Sequence, residues 1–275
     1  MKNVVLSDHT HAQADAAAAK RQIDYEAEHS HYEGKLALRA LHRSKLAAKS
    51  KSHWSERRYV AWAFSYLPRI IAYFAPKPLP PVKAQAQRDE IVWQAGAQGE
   101  QLVKDALARQ FGDEWVAISG YKNPGGEIDL LLVGPDGVLA MEIKYLNGEV
   151  FCDGDRWWRH KSDKYGNVVE ENVPIADKGG RGPSEQVNAA ASRLQRFLAE
   201  RSALKYVHCA VVLSHPLSSI GKLFSVTVDA IATLETFKPK TILNTGNGER
   251  QRYVTEELVR LITQDHQFHA KRGKR

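Results

Sequence analysis

Apolar positions along this chain recur first at a helical period and then, beyond residue 114, largely at the strand period. Residues 12–60 read as helical: they are rich in Ala, Leu, Lys, Arg and Glu, and Gly34 is their only glycine. An apolar stretch follows, YVAWAFSYLPRIIAYFA at 59–75, interrupted by Pro68 and Arg69. The next run, APKPLPPVK at 75–83, has four prolines, which cannot continue a helix and favour an extended connector. Residues 88–111 place Trp93, Ala97, Val103, Leu107 and Phe111 on one side of a helix.

The strand period then takes over. WVAIS (115–119) is a short strand, and EIDLLLV (127–133) and VLAMEIKYL (138–146) are two more, separated by the turn sequence GPDG. Residues 148–160 read as a second hairpin turning at Asp153–Gly154, and 161–183, polar and glycine-rich, as a loop. Ser184 is placed to cap a helix running to about Arg201, with Val187, Ala191, Leu194 and Leu198 as its apolar stripe. YVHCAVVLS (206–214) has the continuous apolar pattern of a central buried strand; LFSVTV (223–228) is a further strand and 254–267 a final helix. This order predicts an α/β or α+β fold, a mixed sheet flanked by helices, with a helical N-terminal arm. The proline run sets the expected division: an arm and connector at 1–83 and a second domain at 84–275.

Charge adds a partner to the picture. The chain of 275 residues has a formal net charge of +7, and residues 1–90 hold +6 of it, with 15 Lys/Arg against 9 Asp/Glu. Within 34–58, eight basic residues (Lys35, Arg39, Arg43, Lys45, Lys49, Lys51, Arg57, Arg58) face Glu56 alone, and KRGKR closes the chain at 271–275. Such a segment either meets a polyanion or stays solvated. Two cysteines, Cys152 and Cys209, are too few for a disulfide framework, and the first twenty residues lack the apolar core of a secretory signal, which together suggest the cytoplasm. The stretch 59–75 is shorter than the roughly 20 clean residues that span a bilayer, so a packing or interfacial helix is expected there, with a membrane-surface role for 59–75 and the basic arm as a third, weaker reading. Oligomeric state is left open.

The strands around GPDG carry the chemistry. With Val133 opposite Val138, paired positions place Asp129 opposite Glu142 on one face, their Cβ atoms about 4.5–5.5 Å apart. Two like charges so placed repel unless a cation sits between them, and Lys144, two residues beyond Glu142, points to that same face. Charged residues on a hairpin fit either a solvated edge face or a buried site. Val138, Ala140 and Leu146 on the same face favour the second, and two carboxylates around a small space suit magnesium or manganese. Glu100 sits on the apolar stripe of its helix, seven residues from both Trp93 and Leu107, with Gly99 beside it permitting a close approach.

Gly99-Glu100 in a helix, GGEIDLLLVGPDGVLAMEIKYLNGEV (125–150), Trp157/Trp158 and PSEQ (183–186) opening a helix together resemble the NERD (nuclease-related domain) family over about residues 93–215. NERD is similar to the PD-(D/E)XK nuclease superfamily. The resemblance implies a restriction-endonuclease-like core, Asp129 as metal-binding aspartate, Glu142 and Lys144 as the E-x-K pair, Glu100 as the acid of the first helix and Gln186 as the glutamine of the helix after the sheet. The backbone carbonyl of Ile143 would complete the shell of a metal held by Asp129 and Glu142, and Glu100 would bind a second metal or orient a metal-bound water. The implied function is Mg²⁺- or Mn²⁺-dependent hydrolysis of DNA phosphodiesters, with the basic arm 34–58 touching phosphates. The alternative is a nucleic-acid-binding or partner-recruiting module whose nuclease-like core is slow or inactive. The first 80 residues are not explained by the family.

Overall fold

The structure is a computed structural model, and it describes residues 1–7, 9–82, 88–244 and 252–272. The chain divides into two compact units, Met1–Gln13 with Ile91–Arg275, and Ala14–Glu90. The expected boundary at 83/84 and the last three residues of the basic C-terminus lie outside the described residues.

In the larger unit, a six-stranded sheet runs in the order β1-β2-β3-β4-β8-β10, formed by β1 (Lys2–Val5), β2 (Val116–Asn123), β3 (Gly126–Gly134), β4 (Gly137–Lys144), β8 (Val207–Leu213) and β10 (Ala230–Thr233). The middle pairs β2–β3 and β3–β4 are antiparallel, while β1–β2, β4–β8 and β8–β10 are parallel. A second sheet, β7-β6-β5-β9, comprises β5 (Gly148–Asp153), β6 (Arg156–Ser162), β7 (Val168–Pro174) and β9 (Ser218–Phe224).

Both faces of the six-stranded sheet are covered, as its apolar alternation requires. On one face Val187, Ala191, Leu194 and Leu198 of α5 (Pro183–Arg201) and Leu258 and Ile262 of α7 (Thr255–Arg272) pack on Leu131, Val133, Val138 and Ala140. On the other, Val103 and Leu107 of α4 (Arg88–Gln110), Phe111 just after it, and Ile242 and Leu243 of α6 (Pro239–Leu243) meet Leu130, Leu132, Leu139, Met141 and Ile143. The central strand β8 is buried at all seven positions, as its unbroken apolar run predicts.

The expected hairpin register holds: Val133 pairs with Val138 and Leu130 with Met141. Pairing extends to Gly134 and Gly137, so the loop tightens to Pro135–Asp136. Gly134 is required here, since a Cβ would lie 2.2 Å from the Trp115 ring.

Several boundaries differ from those the sequence predicts. The expected loop 161–183 contains β7, a strand with mostly exposed residues that gains its order by pairing with β6. The strand expected at 223–228 is instead β9, ending at Phe224. Gly182, not Ser184, is the N-cap of α5; Pro183 takes the first helical turn, where its missing N–H costs nothing, and Ser184 is turned inward. The first residues do not stay with the arm: β1 lies parallel to β2, with Lys2 N–H on Trp115 O (2.9 Å) and Leu6 N–H on Ser119 O (3.0 Å). Four residues without a flanking turn carry no strand signature of their own, and the β2 edge supplies the missing partners.

In the smaller unit, the 47-residue helix α1 (His9–Ser55) runs through Gly34 for about 70 Å. The apolar stretch forms α2 (Tyr59–Phe64) and α3 (Tyr66–Phe74), with the break at Ser65 rather than at Pro68, which lies inside the first turn of α3 where proline is tolerated. Both cysteines are buried and free, and among the described residues no helix is long and apolar enough to cross a membrane.

Candidate active site

The sheet splits where the carboxylates sit. β3 stays paired with β2 as far as Gly126, but its ladder with β4 ends at Leu130–Met141, one pair short of Asp129–Glu142. Like-charge repulsion explains why the pairing stops there. Asp129 then replaces the lost backbone acceptor: its Oδ2 accepts the N–H of Ile143 at 2.7 Å. A strand residue directs its N–H and C=O to the same side, so the Ile143 carbonyl also faces the gap. Lys144 O is turned the other way and accepts from Ser214 N–H at 3.0 Å.

Glu142 is only 3% exposed. Its Oε1 accepts from Lys144 Nζ at 2.6 Å, and Lys144 Nζ reaches Gln186 Oε1 at 3.5 Å. Gln186, in the first turn of α5, is aimed by its own amide, which donates to Arg181 O at 2.8 Å. The structure therefore brings Asp129, Glu142, Ile143, Lys144 and Gln186 into one place.

Glu100 lies on α4 and is 3.9 Å from Lys104, with both side chains about 15% exposed. A Cβ on Gly99 would come within 2.7 Å of Ser214 Oγ and 3.0 Å of Tyr145 Cβ, so this turn of α4 is pressed against the ends of β4 and β8. Among the described residues, however, no three His, Cys, Asp or Glu side chains converge as a metal-ligand cluster. Glu100 thus stands beside Lys104 next to the site.

Burial dominates the electrostatics. It raises Asp129, against the pull of Lys144 and the Ile143 N–H. Burial and then the neighbouring Asp129 push Glu142 up to about 8, with Lys144 opposing. For Lys144, burial works downward, but Glu142 and Asp129 outweigh it and hold it above its ordinary value. The folded values of both acids exceed their unfolded ones, so the native state binds more protons than the unfolded chain between about pH 4.5 and 8. Stability of the metal-free protein is expected to fall as pH rises through that window, by at least about 1 kcal/mol, with Glu142→Gln removing most of the slope. Urea melts of both proteins across this range check it; a stability that rises with pH would refute the assignment.

Three supporting residues escape the sequence reading. Lys104 lowers the Asp129 pKa and shares the inner stripe of α4 with Glu100 and Leu107, so a lysine at an apolar helical position was the available signal. Asp177 and Arg181 order the loop before α5: Asp177 Oδ1 accepts the backbone N–H groups of Gly179 and Arg181, and its Oδ2 pairs with the Arg181 guanidinium at 2.8 Å. Asp177 also helps raise Lys144. The tryptophans divide as strand alternation predicts. Trp157 is buried, its indole N–H donating to Ser184 Oγ at 2.9 Å, while Trp158 stacks on Phe151 with the rings 4° from parallel. His208 lies 3.6 Å from Asp229, and among the described residues His160 and His215 join no ligand cluster.

A mixed sheet covered by helices on both faces, with a carboxylate pair and a lysine where two central strands part, defines a nuclease-like fold. Residues 95–214 match the model of the family described as nuclease-related domain, NERD. That family belongs to the PD-(D/E)XK-like nuclease superfamily. The match takes in Glu100, Asp129, Glu142, Lys144 and Gln186 and leaves out the unit Ala14–Glu90. Comparison with curated proteins and with solved structures returns no match.

Proposed function

We propose that the chain is a divalent-metal-dependent nuclease that hydrolyses phosphodiester bonds of DNA. The observation that supports this most is the carboxylate pair at the fork of β3 and β4, a buried Glu142 and a partly buried Asp129, with Lys144 reaching into it. Burial raises both acids because their negative charges are incompletely offset, and a hard cation is the natural complement. The donor set fits Mg²⁺ or Mn²⁺: Mg²⁺ is commonly held by one or two carboxylates plus waters and substrate phosphate oxygens, not by an all-protein cage.

Asp129, Glu142 and the Ile143 carbonyl would hold the ion. When bound, it lowers the pKa of a coordinated water and polarises the phosphate. Lys144, fixed between Glu142 and Gln186, orients the attacking water and stabilises charge developing on the phosphate oxygens. Gln186 can donate and accept, so it keeps the lysine and the water in register. Glu100 and Lys104 supply a balanced pair beside the site.

The test is to incubate the full chain with plasmid, linear duplex, single-stranded DNA and RNA in Mg²⁺, Mn²⁺ or EDTA. Metal-dependent cleavage of DNA, lost in EDTA, is the expected result. Cleavage that persists in EDTA would refute the metal role. DNA binding without cleavage in either metal would favour the binding or recruiting module, and cleavage confined to RNA would change the substrate.

A further inference from the structure

In the unit Ala14–Glu90, α3 faces the wrong way for a helix packed in water. Leu67, Ile70, Ile71 and Phe74 follow the i, i+3, i+4, i+7 spacing of a core-facing stripe. Each is more than half exposed, from 51% at Ile70 to 77% at Phe74. Val60 and Phe64 continue the apolar surface on α2, at 73% and 75%. Neither helix contains a buried residue.

The side of α3 turned to α1 is polar instead. Arg69 Nη1 donates to Ser50 Oγ at 3.3 Å, and Ser50 is 2% exposed. Arg43 donates to Ala72 O and Tyr73 O, at 3.0 and 2.8 Å from Nη2, and Arg39 donates to the carbonyls of Ala75 and Pro76. The two guanidiniums cap the negative C-terminal end of α3. Polar bonds thus fix α3 on α1 while its apolar stripe is left outward.

What surrounds the stripe indicates its occupant. Residues 34–82 carry ten Lys/Arg and a single acid, Glu56. Lys35, Lys45, Lys49, Lys51 and Lys77 are exposed. Trp54, Tyr59 and Tyr73, amphipathic rings suited to a headgroup layer, are also more than half exposed. A second copy of the chain would set this cationic surface against itself. Nucleic acid would take the cations but leave the apolar stripe in water. The nine-residue α3, about 14 Å long, is too short to span a bilayer and long enough to lie in its surface.

We propose that this unit docks on an anionic lipid bilayer, with Leu67, Ile70, Ile71 and Phe74 entering the boundary between headgroups and acyl chains and the lysines meeting lipid phosphates. This takes up the weaker, membrane-surface reading of the sequence in place of the expectation that the basic segment 34–58 serves nucleic acid. Arg43 of that segment is already committed to α3 carbonyls and Arg39 to the carbonyls just beyond α3, and Arg58 lies 3.4 Å from Glu56.

Co-sedimentation of the full chain with phosphatidylcholine vesicles, plain or containing about one third phosphatidylglycerol, tests the proposal. The protein should pellet with the anionic vesicles and stay in solution with the plain ones. Ile70→Ser/Phe74→Ser should weaken that partition by about tenfold or more, as should Lys45→Glu/Lys49→Glu/Lys51→Glu. All five side chains are exposed, so circular dichroism should report unchanged helicity in both variants. Three results would overturn the proposal. In the first, the wild-type chain stays in solution with both vesicles. In the second, the Ile70/Phe74 variant pellets as wild type, which would make the surface a polyanion site that duplex DNA should also occupy. In the third, light scattering shows that this variant dissolves an oligomer of a chain that ignores vesicles, which would make a second copy the occupant.

Discussion

Replacing Asp129 with asparagine, or Glu142 with glutamine, is expected to lower metal-dependent DNA cleavage by about 10³-fold, the upper range for losing one preorganised charge-stabilising group. Each variant keeps an oxygen where the structure uses one. The asparagine carbonyl can still accept the Ile143 N–H that Asp129 Oδ2 accepts at 2.7 Å, and the glutamine oxygen can still accept from Lys144 Nζ. What disappears is one negative charge of the pair that would hold the ion. Because burial and mutual repulsion raise both carboxyls, neutralising either should leave thermal stability near neutral pH unchanged or higher. Plasmid cleavage alongside thermal melts gives the answer. Unimpaired cleavage in both variants would remove the carboxylate pair from the mechanism, and loss of activity together with loss of fold would make the pair structural.

Lys144→Arg should reduce the cleavage rate by about 10²-fold while divalent-ion binding survives. The charge is kept, so the acids retain their cation. The geometry is not kept. Lys144 Nζ is a compact donor held 2.6 Å from Glu142 and 3.5 Å from Gln186, and a planar guanidinium cannot occupy that point without displacing one partner. Single-turnover cleavage together with Mn²⁺ titration separates the two effects. An arginine variant cleaving at the wild-type rate would show that Lys144 serves only to balance charge. Loss of ion binding in step with rate would show instead that the lysine shapes the carboxylate pair.

Much of this site can be read from short-range pattern. Period-two alternation around the GPDG turn puts Asp129, Glu142 and Lys144 on one face, and the observed register agrees through Leu130–Met141. The apolar stripe of α5 places Gln186 at a helix start beneath that face. Glu100 stands out as an acid on an apolar stripe. The exact cap of α5 does not stand out, because Ser184 has the right chemistry for a cap but is claimed by the Trp157 indole and by Asp155, 27 and 29 residues away. The strand β7 is missed for a related reason: its exposed, polar sequence has no buried face to impose an alternation.

The sequence by itself determined most element types, the hairpin register and which charged residues share one face of it, because each is set by neighbours a few residues apart: turn residues, side-chain period and motif spacing. Tertiary structure alone decided where the β3–β4 ladder stops, because that depends on two carboxylates repelling across strands and on the Ile143 N–H finding Asp129 in place of a backbone carbonyl. It alone placed β1 on the sheet, through hydrogen bonds between residues more than a hundred positions apart. It alone turned the apolar stripe of α3 outward as well. Helical periodicity shows that α3 has two unlike faces, but which face is buried depends on its partners, and here the Arg39, Arg43 and Ser50 side chains of α1 hold the polar one.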